Sequence, residues 1–160
     1  MIDDEDAMDL AYDPNTPAET LRSLAQLHIL DVCEAVAENP NTPVDVLVEL
    51  SRDEDWQVRV RVAGNPNTPV EVLAVLAMDY SDVGNGGFDV RDAVAENPNT
   101  PPEIVDAIES QYAVQERKDL AKSPHTRVET LVTLAQDVSM EVRCEVASNP
   151  TTPAKNLLTL

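Results

Sequence analysis

The chain has 160 residues and a formal charge of −19, from 30 acidic against 11 basic side chains. Such a field repels the phosphates of nucleic acid and of anionic lipid, so direct binding of either is excluded. Hydrophobic residues make up 42% but only five are aromatic, so a core has to come from Leu, Val, Ile and Ala, the composition of packed helices.

The chain opens on MIDDEDAMDL, acidic where a signal peptide would be basic, and no apolar run approaches the roughly 20 residues that cross a bilayer. A cytoplasmic protein is expected. From residue 14 onward one unit is written about five and a half times. Its first proline falls at Pro14, Pro40, Pro66, Pro98, Pro124 and Pro150, with spacings of 26, 26, 32, 26 and 26. A period of this length is the signature of a solenoid.

Counting that proline as position 1, position 8 holds Leu21, Leu47, Leu73, Val105, Leu131 and Leu157. Position 11 holds Leu24, Leu50, Leu76, Ile108, Leu134 and Leu160. A spacing of three puts both aliphatics on one helical face. Position 3 is always Thr, usually followed by Pro and, three residues after the Thr, by an acid, as in Thr42, Pro43 and Asp45. This predicts a threonine N-cap with proline in the first turn. A first helix of about ten residues should start there.

A second, shorter helical segment should follow, as in DWQVRVRVAGN, which ends at Asn65 because Pro66 comes next. Its inward positions 23 and 24 hold Val36-Ala37, Val62-Ala63, Val94-Ala95, Leu120-Ala121 and Val146-Ala147, with Leu10-Ala11 ahead of the first proline. No segment alternates with a period of two, so no β-sheet is expected. One helix pair cannot bury its apolar stripe alone, and stacking pairs makes a continuous core. Residues 1–160 read as a single repeat domain, an all-α solenoid.

The units NPNTPVDVLVELSRDEDWQVRVRVAGN and SPHTRVETLVTLAQDVSMEVRCEVASN resemble the variant leucine-rich repeat family, over residues 7 to 160. The resemblance implies a right-handed superhelix of alternating α- and short or 3₁₀-helices without strands. A described member carries a cysteine-ligated iron–sulfur module. With only Cys33 and Cys144, and no CxxC, this chain lacks the ligands, and no cofactor is expected.

Candidate functional residues recur with the repeat. Position 17 holds Leu30, Trp56, Phe88, Val114 and Met140. Core packing is the first reading, and the alternative is an apolar line that grips a partner, with Trp56 and Phe88 as anchors and Met140 beyond them. Position 20 holds Arg59, Arg91, Arg117 and Arg143, with Cys33 in the first repeat. Placed between apolar positions, these arginines read first as structural. Asp53, Asp79 and Asp137 at position 14, or carbonyls near the Asn at position 26, would be their partners. A basic stripe for an acidic ligand is the alternative.

The irregular third interval comes from six extra residues within DYSDVGNGGFD, residues 79 to 89. Asp79, Asp82, Asn85 and Asp89 invite comparison with a calcium loop. Val83 and Val90 stand where an EF-hand needs ligands, so a surface loop is expected and no metal. His28 and His125 lie about four repeats apart, and no phosphate loop, nucleophile elbow or HExxH is present, so nothing points to an enzyme.

The reading that follows is a non-catalytic scaffold for a protein partner with a basic or apolar surface. An acidic mimic of nucleic acid, blocking nucleic-acid-binding proteins, is a second reading, weakened because the acids vary in position between repeats. The chain stops at Leu160, midway through a repeat. Leu157, Leu158 and Leu160 would leave that end apolar, so a module of a larger assembly or an end-to-end oligomer is a third.

Overall fold

Each unit of the sequence folds around its proline punctuation into helices, and over residues 4–80 and 89–153, which the computed structural model describes, the chain is all-helical with no strand. The helices are α1 (Asp4–Tyr12), α2 (Ala18–Ala25), α3 (Leu30–Glu38), α4 (Val44–Leu50), α5 (Trp56–Gly64), α6 (Val70–Leu76), α7 (Val90–Glu96), α8 (Pro102–Lys122), α9 (Val128–Leu134) and α10 (Met140–Ser148). The chain divides into two compact units, Met1–Asp106 and Ala107–Leu160, with the division inside α8. No described helix is long and apolar enough to cross a membrane.

In the first unit the second helices of successive repeats, α1, α3, α5 and α7, stack directly on one another, while the first helices, α2, α4 and α6, form a more openly spaced layer. Leu21, Leu24, Leu47, Leu50, Leu73 and Leu76 point from the open layer against Val36, Ala37, Val62, Ala63 and Val94 of the close one, and all are buried. Alanine at position 24 is small enough for neighbouring helices to approach closely. In the second unit Ala121, Leu131, Leu134, Ala135, Val142 and Val146 form the core, with Val114 against it. Leu120, expected in the seam, is exposed, and Ala121 beside it carries the packing.

Both helices of a repeat are α-helical among the described residues. The tighter 3₁₀ pattern survives in the turns that follow the first helices, as in the Arg52 amide donating to Glu49 and the Met78 amide to Val75. The physical reason is burial: Val32 with Val36, and Val58 with Val62, need the 3.6-residue period to share a core-facing side, which a 3₁₀ run does not supply.

Two further expectations change. The helices after Thr16-Pro17, Thr42-Pro43, Thr68-Pro69 and Thr100-Pro101 start one residue later, with Pro43 extended (φ −61°, ψ 146°) at the N-cap position of α4 and no side-chain cap there. Thr42 instead points backwards, its hydroxyl donating to the Val36 carbonyl at 2.5 Å. All six threonines do the same six residues upstream, from Thr16 to Leu10 through Thr152 to Val146. They close the end of the preceding helix.

The fourth repeat also has no break, since α8 runs for 21 residues through the place where the others turn. In the second and fifth repeats the turn closes on an aspartate, Asp53 accepting from the Asp55 amide and Asp137 from the Ser139 amide. Gln111 occupies that position in α8, and the surrounding ESQYAVQER is rich in helix formers.

The asparagine before Pro40, Pro66, Pro98 and Pro150 does more than stop a helix. Asn65 is buried, and its side-chain amide donates to the carbonyls of Ala37 (2.7 Å) and Asn39 (3.0 Å) in the preceding repeat, while its oxygen accepts from the Asn67 amide. Asn39, Asn97 and Asn149 repeat the arrangement. Asn65→Ala orphans two buried carbonyls and is expected to cost about 2–4 kcal/mol, against about 1 kcal/mol or less for exposed Asn67→Ala. Chemical denaturation of the two variants measures the difference, and equal losses would show that the buried amide is not the stronger tie.

Candidate interaction surface

The position-20 arginines are held by the chain itself. Arg59, 8% exposed, donates from Nε to Asp79 at 2.5 Å and from Nη1 to the carbonyls of Asp53 (2.6 Å) and Glu54 (3.0 Å). Arg117 donates from Nε to Asp137 at 2.7 Å, and Arg143 from Nη1 to the Asp137 carbonyl at 2.7 Å. Arg91, 6% exposed, donates to Asp89 at 2.8 Å and lies 4.7 Å from the Tyr80 ring centre, within cation–π range. Asp79 and Asp137 are thus the partners the spacing suggested. The carbonyls are those of the turn between the two helices, because those near position 26 are taken by the asparagines.

The position-17 side chains do not share one environment. Val114 packs against the second unit's core and Trp56 is half-buried, whereas Leu30 is 39% and Met140 69% exposed. A purely core role therefore fails for Leu30 and Met140. Trp56 and Met140 belong to different units. Phe88 lies outside the described residues, as does most of the glycine-rich insertion. Among the described residues no group of three His, Cys, Asp or Glu side chains is arranged to hold a metal ion. Cys33 is buried and Cys144 exposed, and both are free thiols.

What the repeat logic alone did not single out is a cleft on the close-stacked layer of the first unit. It measures about 290 Å³, lies over the C-terminal ends of α5 and α7, and is lined by Glu38, Val60, Arg61, Gly64 and Glu96. Gly64 falls at position 25, where its neighbours carry Glu38 and Glu96, and a Cβ built on it meets nothing within 4 Å. Its missing side chain leaves a gap between two acidic rungs. Arg61 crosses to Glu34 at 3.3 Å and Glu38 at 3.8 Å. Helix C-termini carry partial negative charge, which adds to the acids and favours a cation. The one sequence signal was Gly64 itself, the single glycine outside the insertion.

Among the charged pairs, the Arg117 guanidinium, followed by the Ser139 amide, holds the Asp137 carboxyl below its ordinary value. On the outer layer, Arg22 grips Asp45 with both Nε and Nη2 and lowers its carboxyl likewise. Burial, followed by the charges of Asp53 and Glu49, pushes the Cys33 thiol up.

Residues 30–55 match the family model described as Leucine rich repeat variant, and residues 57–122 match the one described as Leucine Rich Repeat Variant domain. No curated protein and no solved structure matches the chain.

A carboxyl whose folded value lies below its unfolded one stabilises the fold above the ordinary value of 3.8, and the contribution is lost as pH falls through the folded value. The Asp137 carboxyl is expected to titrate below 3.8 by side-chain NMR, and in Arg117→Gln its midpoint should rise while acid unfolding starts at higher pH. A midpoint that ignores the substitution would show that the pair contributes nothing.

Proposed function

The chain belongs to the leucine-rich repeat variant family, and from that premise we propose that it is a non-catalytic interaction scaffold whose protein partner presents a basic segment to the face formed by α3, α5 and α7. Stacked repeats expose extended surfaces suited to such contacts. One observation carries the reading: exposed Glu38 and Glu96 line the cleft, Asp31 and Glu34 are exposed or partly exposed on the same helix as Glu38, and the base in the cleft, Arg61, is already spanned by Glu34 and Glu38. In a chain of charge −19, this face attracts a cationic partner and raises its encounter rate.

Trp56, half-buried at the start of α5, is the aromatic anchor of the surface. Arg59, Arg91, Arg117 and Arg143 support the turns and do not touch the partner. The two free thiols fit a reducing compartment, the cytoplasm.

The test is affinity capture from native extract with the wild-type chain, with Glu38→Lys/Glu96→Lys and with Trp56→Ala. Partners held by the wild type should be lost from the charge-reversed variant, depleted by Trp56→Ala, and weakened as salt rises from about 50 to 200 mM. Retention of the same partners by the reversed variant would place binding elsewhere, and turnover of a metabolite by the purified chain would sink the scaffold reading.

A further inference from the structure

The arginine series has an exception, and the exception opens a cavity. At position 20 the later repeats carry Arg59, Arg91, Arg117 and Arg143, and the first repeat carries Cys33. In two of these cases the guanidinium reaches the turn aspartate of the next repeat, Arg59 to Asp79 at 2.5 Å and Arg117 to Asp137 at 2.7 Å. Asp53 is the equivalent aspartate of the second repeat. Its Oδ1 accepts from the Asp55 amide at 2.9 Å, as the Asp137 Oδ1 accepts from Ser139 at 2.8 Å. The resemblance ends at the other oxygen: Oδ2 of Asp137 holds a guanidinium, while Asp53 makes no ion pair among the described residues and faces a cysteine too short to reach it.

The room that an arginine would fill is an open cavity of about 630 Å³, within the range of about 300–1,000 Å³ typical of small-ligand sites. Its floor includes Cys33, and Ala25, Leu30 and Leu50 give it an apolar wall suited to an aliphatic stem. Four carboxylates, Glu49, Asp53, Glu54 and Asp55, line it against one cation, Arg52. Two of them act on the thiol at its base, since Asp53 and Glu49 add to burial in raising the Cys33 pKa. The cavity interior is therefore anionic as well as open.

We propose that this cavity binds the guanidinium of an arginine side chain presented by a partner polypeptide, which takes the place that the chain's own arginine fills in later repeats. The stem lies along Leu30 and Leu50, and the planar head meets Asp53 as Arg59 meets Asp79. One part of the internal template is missing. His28 has a left-handed backbone (φ 52°), so the first-repeat turn departs from the one whose Asp53 and Glu54 carbonyls hold Arg59. Recognition accordingly rests on the carboxylates of the second repeat, which favour a bidentate guanidinium over a compact ammonium. The proposal goes beyond the acidic face of α3, α5 and α7, and different residues carry it, so either can fail alone.

The experiment is an NMR titration of the isotope-labelled full chain with the capped peptide acetyl-Gly-Arg-Gly-amide. The controls are acetyl-Gly-Lys-Gly-amide and free arginine. Saturable shifts are expected at residues 25–33 and 49–55, with binding of the lysine peptide weaker by roughly tenfold or more. Cys33→Arg, which restores an internal guanidinium, should abolish the shifts while the rest of the spectrum stays folded. Asp53→Asn, which can keep the turn bond to Asp55, should weaken binding by about tenfold and decides the matter if Cys33→Arg does not fold. The proposal is overturned by the absence of saturable shifts, by equal binding of the lysine peptide, or by an affinity untouched in Asp53→Asn. Tighter binding of free arginine than of the capped peptide would overturn the assignment to a polypeptide partner.

Discussion

The fold depends on buried carboxamides, those of Asn39, Asn65, Asn97 and Asn149, that each tie a repeat to the one before it, with Ser123 in that place in the fourth repeat. A helix ends with carbonyls that have no partner within it, and where helices stack those groups lose water. Here the second helices of the first unit stop against such a stack. The next repeat's asparagine donates to the position-24 and position-26 carbonyls, the threonine of position 3 to position 23, and a second asparagine, such as Asn41 or Asn67, to the first proline's carbonyl. Proline at position 1 donates nothing and holds the preceding residue extended, so the asparagine is presented ready to bridge.

This constraint explains both the regularity and its one interruption. Donor and acceptor lie 26 and 28 residues apart in most of the ladder, and 32 and 34 apart for Asn97. The six-residue insertion thus enters the sequence between two rungs without changing either. At the opposite end of the repeat the arginines support the turns. Those contacts vary, with Asp79, Asp89, Asp137 or backbone carbonyls answering the guanidinium, because a long side chain can find a carboxylate in several places. The amide ladder, with short side chains and fixed geometry, has no such latitude.

Register, helix order and the aliphatic seam were legible in the sequence because each is a local or periodic property: Leu47 and Leu50 announce a face, and Asn65-Pro66 announces a stop. The Arg59 and Arg117 pairs were legible too, since a fixed offset of 20 residues links position 20 to the next turn aspartate. Thr42 was not, because Thr-Pro-x-acid is the wording of an N-cap and only stacking shows that its hydroxyl turns back to Val36. The continuity of α8 was hidden by the repeat itself, which suggested a break where Gln111 replaces an aspartate. Exposure at Met140 and Leu30 was hidden because a period locates a residue along the helix but not the depth of the neighbours that would cover it.

The positions left unconstrained are where binding chemistry can be written. Positions 1, 3, 8, 11, 20, 23, 24 and 26 are committed to turns, seam and ladder, and they vary little from repeat to repeat. Positions 21 and 25 of the second helices read Glu34 and Glu38 in α3, then Val60 and Gly64 in α5, then Asp92 and Glu96 in α7. They differ in size, charge and polarity while the backbone beneath them repeats. A scaffold that satisfies its own polar groups at fixed positions can change these side chains without breaking a rung, so the cleft beside Gly64 costs the fold little. The cavity above Cys33 obeys the same logic from the other side: a supporting position was released, the asparagine rungs on either side of it held, and the freed aspartate became available to a cation from outside.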